Sequence, residues 1–203
     1  MVVDTRPGGR ADSEDASRIG LAHRLTVFEI AIPDPSLVVL IGAAGAGKST
    51  FAARHFDPSE VLSSDGYRAQ ISGDPADQGA TRAAFGRLHR ELGRRLATGE
   101  LTVVDATNLE AAARRALLQR SKAAGMGAVA IVLDLPEPVV LARNAARLGR
   151  VVDESVVRNH LARLRAAIDR SAAAGLLVEG FSSVVVLRDP LELEELTVVR
   201  VAR

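Results

Sequence analysis

A glycine-rich segment near residue 45 has the composition of a phosphate-binding loop. In such loops, glycines let successive backbone N–H groups curl around phosphates, a lysine reaches the β- and γ-phosphates, and a hydroxyl binds Mg²⁺. We predict that the segment binds the phosphates of ATP, with Lys48 acting in catalysis and Ser49 holding Mg²⁺. The predicted phosphate-binding residues are Gly42, Ala43, Ala44, Gly45, Ala46, Gly47, Lys48, Ser49 and Thr50.

The surroundings of this loop support the prediction. The loop follows the apolar run at 37–41 and opens a helical pattern, which aims the N-terminus of a helix at a bound anion. Of the 26 Lys and Arg residues in the chain, only Lys48 and Lys122 are lysines. A lysine at position 48 therefore differs from an arginine-rich background, and its compact ammonium suits the loop better than a planar guanidinium.

Two charged residues follow the predicted strand at 61–63. Ligands bind at the carboxyl ends of parallel strands, so we expect Asp65 to face the phosphate-binding loop. A carboxylate there suits a general base that accepts the proton of an attacking hydroxyl, and Arg68 could hold a phosphate or Asp65 itself. The alternative is that Ser64 or Asp65 only caps the short helix that follows.

A second acidic residue, Asp105, follows the predicted strand at 101–104. We predict that Asp105 lies at the same sheet edge, where it orders Mg²⁺ through water or orients Arg68. Thr107 and Asn108 are candidates for capping the helical pattern that starts at Glu110, and capping is also the alternative role for Asp105.

Three arginines follow one another in the predicted helix at 138–147 and just beyond it. Arg143 and Arg147 are predicted to share a helix face, and Arg150 lies after Gly149. Arginines so placed can form a lid over the triphosphate and stabilise the charge on the γ-phosphoryl group as it moves. A solvated basic face is the alternative.

The whole pattern alternates short β-branched apolar runs with helical stretches, which is typical of α/β proteins. We predict a P-loop NTPase fold with a central, mostly parallel, five-stranded sheet flanked by helices and a small arginine-bearing helical lid. The predicted strands are 37–41, 61–63, 101–104, 128–133 and 183–187. The predicted helices are 49–55, 82–97, 110–124, 138–147 and 154–173.

The two ends of the sequence are less regular. Residues 1–22 lack apolar periodicity and predict a disordered extension, followed by a single domain at 23–203. Residues 25–32 alternate as a strand does, and the prolines at 33 and 35 are expected to end that strand. Residues 191–201 predict a short helix and an edge strand.

Composition restricts the function classes. The absence of cysteine excludes disulfides, thiolate chemistry and Cys-containing zinc sites, and is compatible with a reducing cytoplasm. No apolar run reaches the roughly 18 residues of a membrane span, so we expect a cytoplasmic protein without a membrane partner. The net charge is only +1, but arginines concentrate in residues 81–95 and 138–170. These segments are candidate cationic surfaces, with solvated helix faces as the alternative.

In this combination, the sequence resembles the kinase domain of the bacterial 5′-hydroxyl polynucleotide kinases, including those of the polynucleotide kinase-phosphatase repair enzymes. The resemblance runs from residue 35 to about residue 195. The patterns S-D-x-x-R, D-A-T-N and R-N-x-x-R are more specific than the P-loop alone. The matching residues are the loop at 37–50, 63–68, Asp77-Gln78, Ala84-Phe85, Leu88-His89, 102–108 and Arg143-Asn144 with Arg147 and Arg150.

The resemblance implies transfer of the ATP γ-phosphate to the 5′-hydroxyl of RNA or DNA, as in nucleic-acid repair. It implies that Lys48 and Ser49 bind the ATP phosphates and Mg²⁺, that Asp65 is the general base, and that Arg68 engages the acceptor's phosphate. Arg143 matches the catalytic lid arginine. The implied partner is single-stranded or end-exposed nucleic acid with a 5′-hydroxyl. Family members often carry a phosphatase or ligase, which we expect here on separate repair partners.

Two other functions stay open, namely a kinase for a small-molecule hydroxyl and an ATP-gated interaction module. Aromatic residues make up only 3% of the chain, and Tyr67 is the predicted platform for stacking an acceptor base. If Tyr67 packs in the core instead, recognition would depend on phosphate contacts. Phe85 is predicted in the core, and histidines such as His160 are predicted to be packed or solvated.

Overall fold

A computed structural model describes residues 2–4, 28–147, 151–168 and 174–202. Its strands are β1 (Val2–Asp4), β2 (Glu29–Asp34), β3 (Leu37–Gly42), β4 (Val61–Ser63), β5 (Thr102–Asp105), β6 (Ala128–Leu133), β7 (Ser183–Leu187) and β8 (Thr197–Ala202). Its α-helices are α1 (Lys48–His55), α2 (Ser64–Ser72), α3 (Thr81–Ala97), α4 (Ala111–Ala123), α5 (Glu137–Ala145), α6 (Glu154–Ile168), α7 (Ala174–Glu179) and α8 (Pro190–Glu195). A 3₁₀ turn spans Pro58–Glu60.

The main sheet is parallel and has the order β1-β7-β6-β3-β5-β4. It contains all five predicted strands, so the predicted fold class is confirmed. The edge strand β1 adds a sixth, and the prediction of disorder is therefore wrong for Val2–Asp4. Residue 1 and residues 5–22, the rest of that predicted extension, lie outside the described residues.

The central strand β3 shows why the sheet is covered on both faces. Every residue of β3 and of β6 is buried, as expected for a parallel sheet with helices on either side. Val38 and Leu40 of β3 join one hydrophobic cluster, whereas Leu37, Val39 and Ile41 join the other. Helix α3 buries residues spaced four apart, and its three buried leucines, Leu88, Leu92 and Leu96, belong to the second cluster.

A second, two-stranded sheet joins the two ends of the folded region. Strand β2 runs through Pro33, which the sequence analysis expected to end it, and pairs in parallel with β8. An edge strand tolerates a proline because one side of its backbone has no ladder to complete. The helix and edge strand predicted at 191–201 are confirmed as α8 and β8. No helix among the described residues is long and apolar enough to cross a membrane.

Candidate active site

One cavity of about 700 Å³ lies at the carboxyl ends of β3, β4 and β5. The parallel sheet brings the ends of these strands together, which is where ligands bind in this class of fold. Most predicted site residues line this cavity, although they are up to about a hundred positions apart in the chain. They are Ala44, Gly45, Gly47, Lys48, Ser49, Thr50, Asp65, Arg68, Asp105, Arg143 and Arg147.

The phosphate-binding loop connects β3 to α1 and depends on its glycines. Gly45 and Gly47 have φ values of +84° and +95°, which favour glycine. A Cβ on Gly45 would lie 2.7 Å from the carbonyl oxygen of Val140 and 2.9 Å from the Cβ of Asn144. The loop therefore packs directly on α5, and only glycine leaves room for that contact.

Replacing Gly45 by alanine is expected to lower the free energy of unfolding by about 3 kcal/mol, because the left-handed backbone and the clash with α5 both contribute. Gly99→Ala is the matched control. Gly99 also has a positive φ, +72°, but an added Cβ would meet nothing within 4 Å. We expect the control to cost about 1 kcal/mol in urea unfolding. Equal losses in the two variants would show that the contact with α5 is unimportant.

Lys48 is buried at the base of the cavity. Its Nζ donates hydrogen bonds to the carbonyl oxygens of Gly42 at 3.0 Å and Ala43 at 2.8 Å. Burial lowers the pKa of Lys48 to about 8, an effect that the carboxylate of Asp105 opposes and the guanidinium of Arg147 reinforces. The loop therefore holds the ammonium in place, but nearby groups only partly offset the cost of burying its charge. Such a group is suited to bind negatively charged phosphate oxygens.

This low pKa predicts that ATP binding is coupled to proton uptake. The triphosphate adds negative charge beside Lys48 and raises its pKa, so ATP affinity is full below pH 8 and falls by up to about tenfold per unit above it. Calorimetry in buffers of different ionisation enthalpy measures the uptake. Lys48→Met should bind ATP weakly and without this pH dependence. Equal ATP affinity of the unaltered protein at pH 7 and pH 9 would contradict the prediction.

Ser49 and Asp105 form the oxygen-rich corner of the cavity. The hydroxyl of Ser49 donates to Oδ2 of Asp105 at 2.7 Å. Burial raises the pKa of Asp105, while the hydrogen bond from Ser49 and the charge of Lys48 oppose that rise. A hydroxyl and a carboxylate next to a phosphate-binding loop are the hard oxygen ligands that Mg²⁺ takes, with phosphates completing its shell. The residues present therefore fit Mg²⁺.

Asn108 has a structural role that the sequence analysis did not predict. Its φ is +49°, and its side-chain amide donates to the carbonyl oxygen of Leu40 at 2.7 Å. The backbone N–H of Gly42 also donates to the carbonyl oxygen of Thr107, at 3.1 Å. These bonds tie the ends of β3 and β5 together and hold Asp105 beside the loop. The expectation that Thr107 or Asn108 caps α4 is wrong, since the N-cap is Glu110.

Asp65 and Arg68 form an ion pair on the first turn of α2. Neither Ser64 nor Asp65 is the N-cap, because Ser63 accepts the hydrogen bond from the N–H of Gly66. The guanidinium of Arg68 is buried, donating to Oδ1 of Asp65 and, through Nε, to the carbonyl oxygen of Pro75 at 2.9 Å. The Asp65 carboxylate is 47% exposed. Of the two roles considered for Arg68, the structure shows the one that holds Asp65.

The structure reverses the predicted locations of Tyr67 and Phe85, one of which was expected at the site and the other in the core. Tyr67 does not line the cavity but packs on the hydrophobic cluster between α2 and α3, where burial raises its pKa. Phe85, predicted in the core, is only partly buried and lines the cavity near Asp65, Arg68 and Thr81. Any aromatic stacking at this end of the cavity therefore involves Phe85, which corrects the prediction for Tyr67.

The arginine-bearing segment covers the phosphate-binding loop from above. Nη1 of Arg143 would lie 3.4 Å from a Cβ on Gly47, and Nη2 is 3.4 Å from Oε1 of Glu194. Helix α5 ends at Ala145, so Arg147 lies beyond it and does not share its face as predicted, yet it also lines the cavity. Arg150 lies outside the described residues.

Asn144 anchors this segment. Its side chain donates to the carbonyl oxygen of Val152 at 2.7 Å and accepts from the N–H of Val152 at 3.1 Å. Both hydrogen bonds are buried, so Val152, which follows the arginine-bearing segment, is held at a fixed place beside α5. The resemblance pattern included Asn144, but only the fold shows what its side chain binds.

Two further helices contribute residues to the cavity that no sequence pattern predicts. His160 of α6 lies beside the loop, with Nδ1 3.5 Å from the backbone nitrogen of Ala44. Leu193 and Glu194 of α8 also line the cavity, and the carbonyl oxygen of Glu194 accepts a hydrogen bond from Arg54 at 2.7 Å. Spacing along the chain does not predict these contacts, because they join residues more than 100 positions apart.

A family model described as AAA domain matches residues 37–170, more than half of the chain. No curated protein matches the sequence. Among solved structures, the chain resembles one from the Pnkp1/Rnl/Hen1 RNA repair complex, with 21% identity and a TM-score of 0.58. That match covers 68% of this chain but 47% of the other, so the chain spans about half of that protein's length.

Two other similar structures have different described functions. One comes from the PezAT chromosomal toxin-antitoxin system of Streptococcus pneumoniae, with 14% identity, a TM-score of 0.52 and coverage of 81% of this chain and 71% of the other. The second is a gluconokinase from Sinorhizobium meliloti 1021, with 20% identity, a TM-score of 0.48 and coverage of 81% and 90%. At these identities the likenesses show the fold alone. The chain belongs to the AAA domain family and has a P-loop fold.

Proposed function

We propose that this P-loop protein is a kinase that transfers the γ-phosphate of ATP to the 5′-hydroxyl end of RNA or DNA, as in nucleic-acid end healing. The observation that carries the proposal is the exposed carboxylate of Asp65, held by the buried Arg68 in the same cavity as the phosphate-binding loop. A carboxylate so placed is what a hydroxyl acceptor requires of its kinase. The resemblance to a structure from an RNA repair complex is in line with this acceptor.

The proposed reaction is an in-line transfer. Asp65 takes the proton of the 5′-hydroxyl, whose oxygen forms a bond to the γ-phosphorus as the bond from that phosphorus to the β-γ bridging oxygen breaks, releasing ADP. Lys48 and Arg143 stabilise the negative charge of the phosphoryl group in transit. Ser49 and Asp105 would hold Mg²⁺, which supplies charge neutralisation on the phosphates when bound.

Arg68 has one nitrogen left for the acceptor. Its Nε and Nη2 bind Pro75 and Asp65, whereas Nη1 has no hydrogen-bond partner among the described residues. A guanidinium fixed in this way can offer Nη1 to the phosphate next to the reacting 5′ nucleoside. We infer that Arg68 both orients Asp65, the general base, and recognises the phosphate of the acceptor. This adds to the role implied by the resemblance and explains why Arg68 is buried.

Phe85 is expected to stack on the base of the 5′-terminal nucleotide. Replacing it by alanine should raise the KM for an oligonucleotide acceptor about tenfold, since stacking on an aromatic side chain contributes about 1–3 kcal/mol per base. The control is an acceptor whose 5′-terminal nucleotide lacks its base. The unaltered kinase should discriminate against it, and Phe85→Ala should use both acceptors equally. If Phe85→Ala discriminates as strongly as the unaltered protein, Phe85 does not stack.

An acceptor panel tests the proposed function. Release of ADP would be measured with Mg²⁺-ATP and, in turn, 5′-hydroxyl RNA, 5′-hydroxyl DNA, the same strands already 5′-phosphorylated, nucleosides and sugars. We expect turnover only with the 5′-hydroxyl strands, with a KM that increases with salt. Salt-indifferent turnover of a small hydroxyl compound would support the small-molecule alternative. ATP binding without transfer to any hydroxyl would support the ATP-gated module.

The proposal also concerns partners. A kinase that restores 5′-phosphates produces the end that a ligase joins, and damaged 3′ ends need a phosphatase. We infer that such activities act together with this kinase. Co-purification of the chain with a ligase or phosphatase activity from its source cells is the expected result.

A further inference from the structure

We propose that the acceptor strand, beyond its 5′-terminal nucleotide, runs along the surface of α3 and α4 over three arginines, Arg82, Arg90 and Arg120. We call these three residues the cationic strip. The inference rests on the proposed function and names the path of the bound nucleic acid, which lies outside the catalytic cavity. The occupant of the cationic strip is single-stranded nucleic acid, because only the strand that has its 5′ end in the cavity continues out of the cavity.

The strip begins at the mouth of the cavity. Thr81 and Phe85 on the first turns of α3 line the cavity, and Arg82 is an exposed residue between them. One side of the helix continues outward from Arg82 through Gly86 to Arg90, at the four-residue spacing of a helix face. The guanidinium of Arg90 folds back along this side, since its Nη1 would lie 3.9 Å from a Cβ on Gly86.

Helix α4 packs beside α3 and supplies the third arginine. The ring of His89 on α3 lies 6.3 Å from that of Phe85. Burial lowers the pKa of His89, and the nearby charge of Arg120 on α4 adds to that effect. The guanidinium of Arg120 lies along α4, since its Nη1 donates to the carbonyl oxygen of Ala116 at 2.8 Å. A strand that follows this side of α3 therefore also meets Arg120.

The pairing of charges along α3 distinguishes the strip from an ordinary solvated face. Arg94 and Arg95, at the far end of the helix, bind Glu91 at 2.8 Å and 2.9 Å. By contrast, Arg82, Arg90 and Arg120 have no carboxylate within 4.0 Å among the described residues. On α3, the ion-paired arginines thus lie at the end far from the cavity, whereas Arg82 and Arg90, nearer to it, are without acidic partners. Phosphates are the anions that a strand leaving the cavity would bring there.

The strip and Phe85 together match the general design of single-strand binding surfaces. Such surfaces combine a positively charged groove that follows the backbone with an aromatic side chain on which a base stacks. An acidic protein would also meet the arginines, but it would not place a hydroxyl against Asp65 and a planar group against Phe85. The position of the strip at the cavity mouth therefore favours a nucleic-acid strand.

The test compares a long acceptor with a short one. For the double variant Arg82→Ala/Arg90→Ala, kcat/KM would be measured with a 5′-hydroxyl decamer and with a nucleoside 3′-phosphate. We expect the ratio of the two values to fall about tenfold, and the slope of log KM for the decamer against log salt to fall by about 1.4, or 0.7 per lost contact. Arg94→Ala, on the same helix but ion-paired, is the control and should leave both quantities unchanged.

The outcomes separate this inference from the proposed function. An unchanged ratio and salt slope in the double variant, with normal transfer to both acceptors, overturn the inference alone. An equal effect of Arg94→Ala also overturns it, because general loss of positive charge would then explain the result. If the unaltered protein phosphorylates neither acceptor, the proposed function fails, and the inference fails with it.

Discussion

Replacing Asp65 by asparagine is expected to lower kcat for phosphate transfer by about 10²–10⁴-fold, because the amide cannot accept the proton of the attacking hydroxyl. The substitution is nearly isosteric. It keeps an oxygen to accept the hydrogen bond from Arg68, so the first turn of α2 should stay in place. Single-turnover transfer to a 5′-hydroxyl strand measures the loss, and calorimetry should show unchanged ATP affinity.

The control for this substitution is Asp74→Asn. Asp74 is an exposed carboxylate in the loop after α2, and its Oδ1 only accepts a hydrogen bond from the N–H of Ala76. This variant should transfer phosphate at the rate of the unaltered protein. If Asp65→Asn also transfers at that rate, Asp65 is not the base. The acceptor hydroxyl would then lose its proton without a carboxylate on α2 to accept it.

Replacing Arg143 by alanine is expected to lower kcat by about 10³-fold or more, the effect seen when an arginine that stabilises a transferring phosphoryl group is lost. Arg143 is near the backbone of Gly47, and its ion pair with Glu194 spans 3.4 Å, in a partly exposed setting. Such a pair contributes little stability, so the guanidinium is free to move onto the γ-phosphate. Rapid-quench measurement at saturating ATP isolates the effect on the chemical step.

Arg158 provides the control for Arg143. It is an exposed arginine on the neighbouring helix α6, paired with Glu137 at 3.0 Å and Glu154 at 3.1 Å, and it does not line the cavity. Arg158→Ala should leave kcat unchanged. An Arg143→Ala variant that binds ATP more weakly but keeps its kcat would show that Arg143 serves only ground-state binding.

The sheet could be predicted from the sequence because its strands are buried on both faces. A run such as Leu37–Gly42 is apolar throughout, and the glycine-rich loop after it marks where the strand ends and the helix begins. The end of β2 was predicted too early, because a proline such as Pro33 usually breaks a central strand. Only its place in a separate pair with β8, far along the chain, makes the proline acceptable.

The candidate site was predictable where each residue follows a strand end. Asp65 and Asp105 are such residues, and the three-residue spacing of Asp65 and Arg68 also allowed their ion pair to be foreseen. The places of Tyr67 and Phe85 were not foreseen. Both lie on amphipathic helices, and which side of a helix faces the cavity depends on how α2 and α3 pack together rather than on either sequence alone.

The most direct test of the proposed kinase identifies where the label arrives. The protein would be incubated with Mg²⁺ and γ-labelled ATP and with a 5′-hydroxyl oligonucleotide, and the labelled product would be digested to mononucleotides. We predict that the label is recovered as the 5′-phosphate of the 5′-terminal nucleotide, and that a 5′-phosphorylated oligonucleotide takes up none. Recovery of the label only as inorganic phosphate, or at any other position in the strand, would contradict the proposed 5′-hydroxyl kinase.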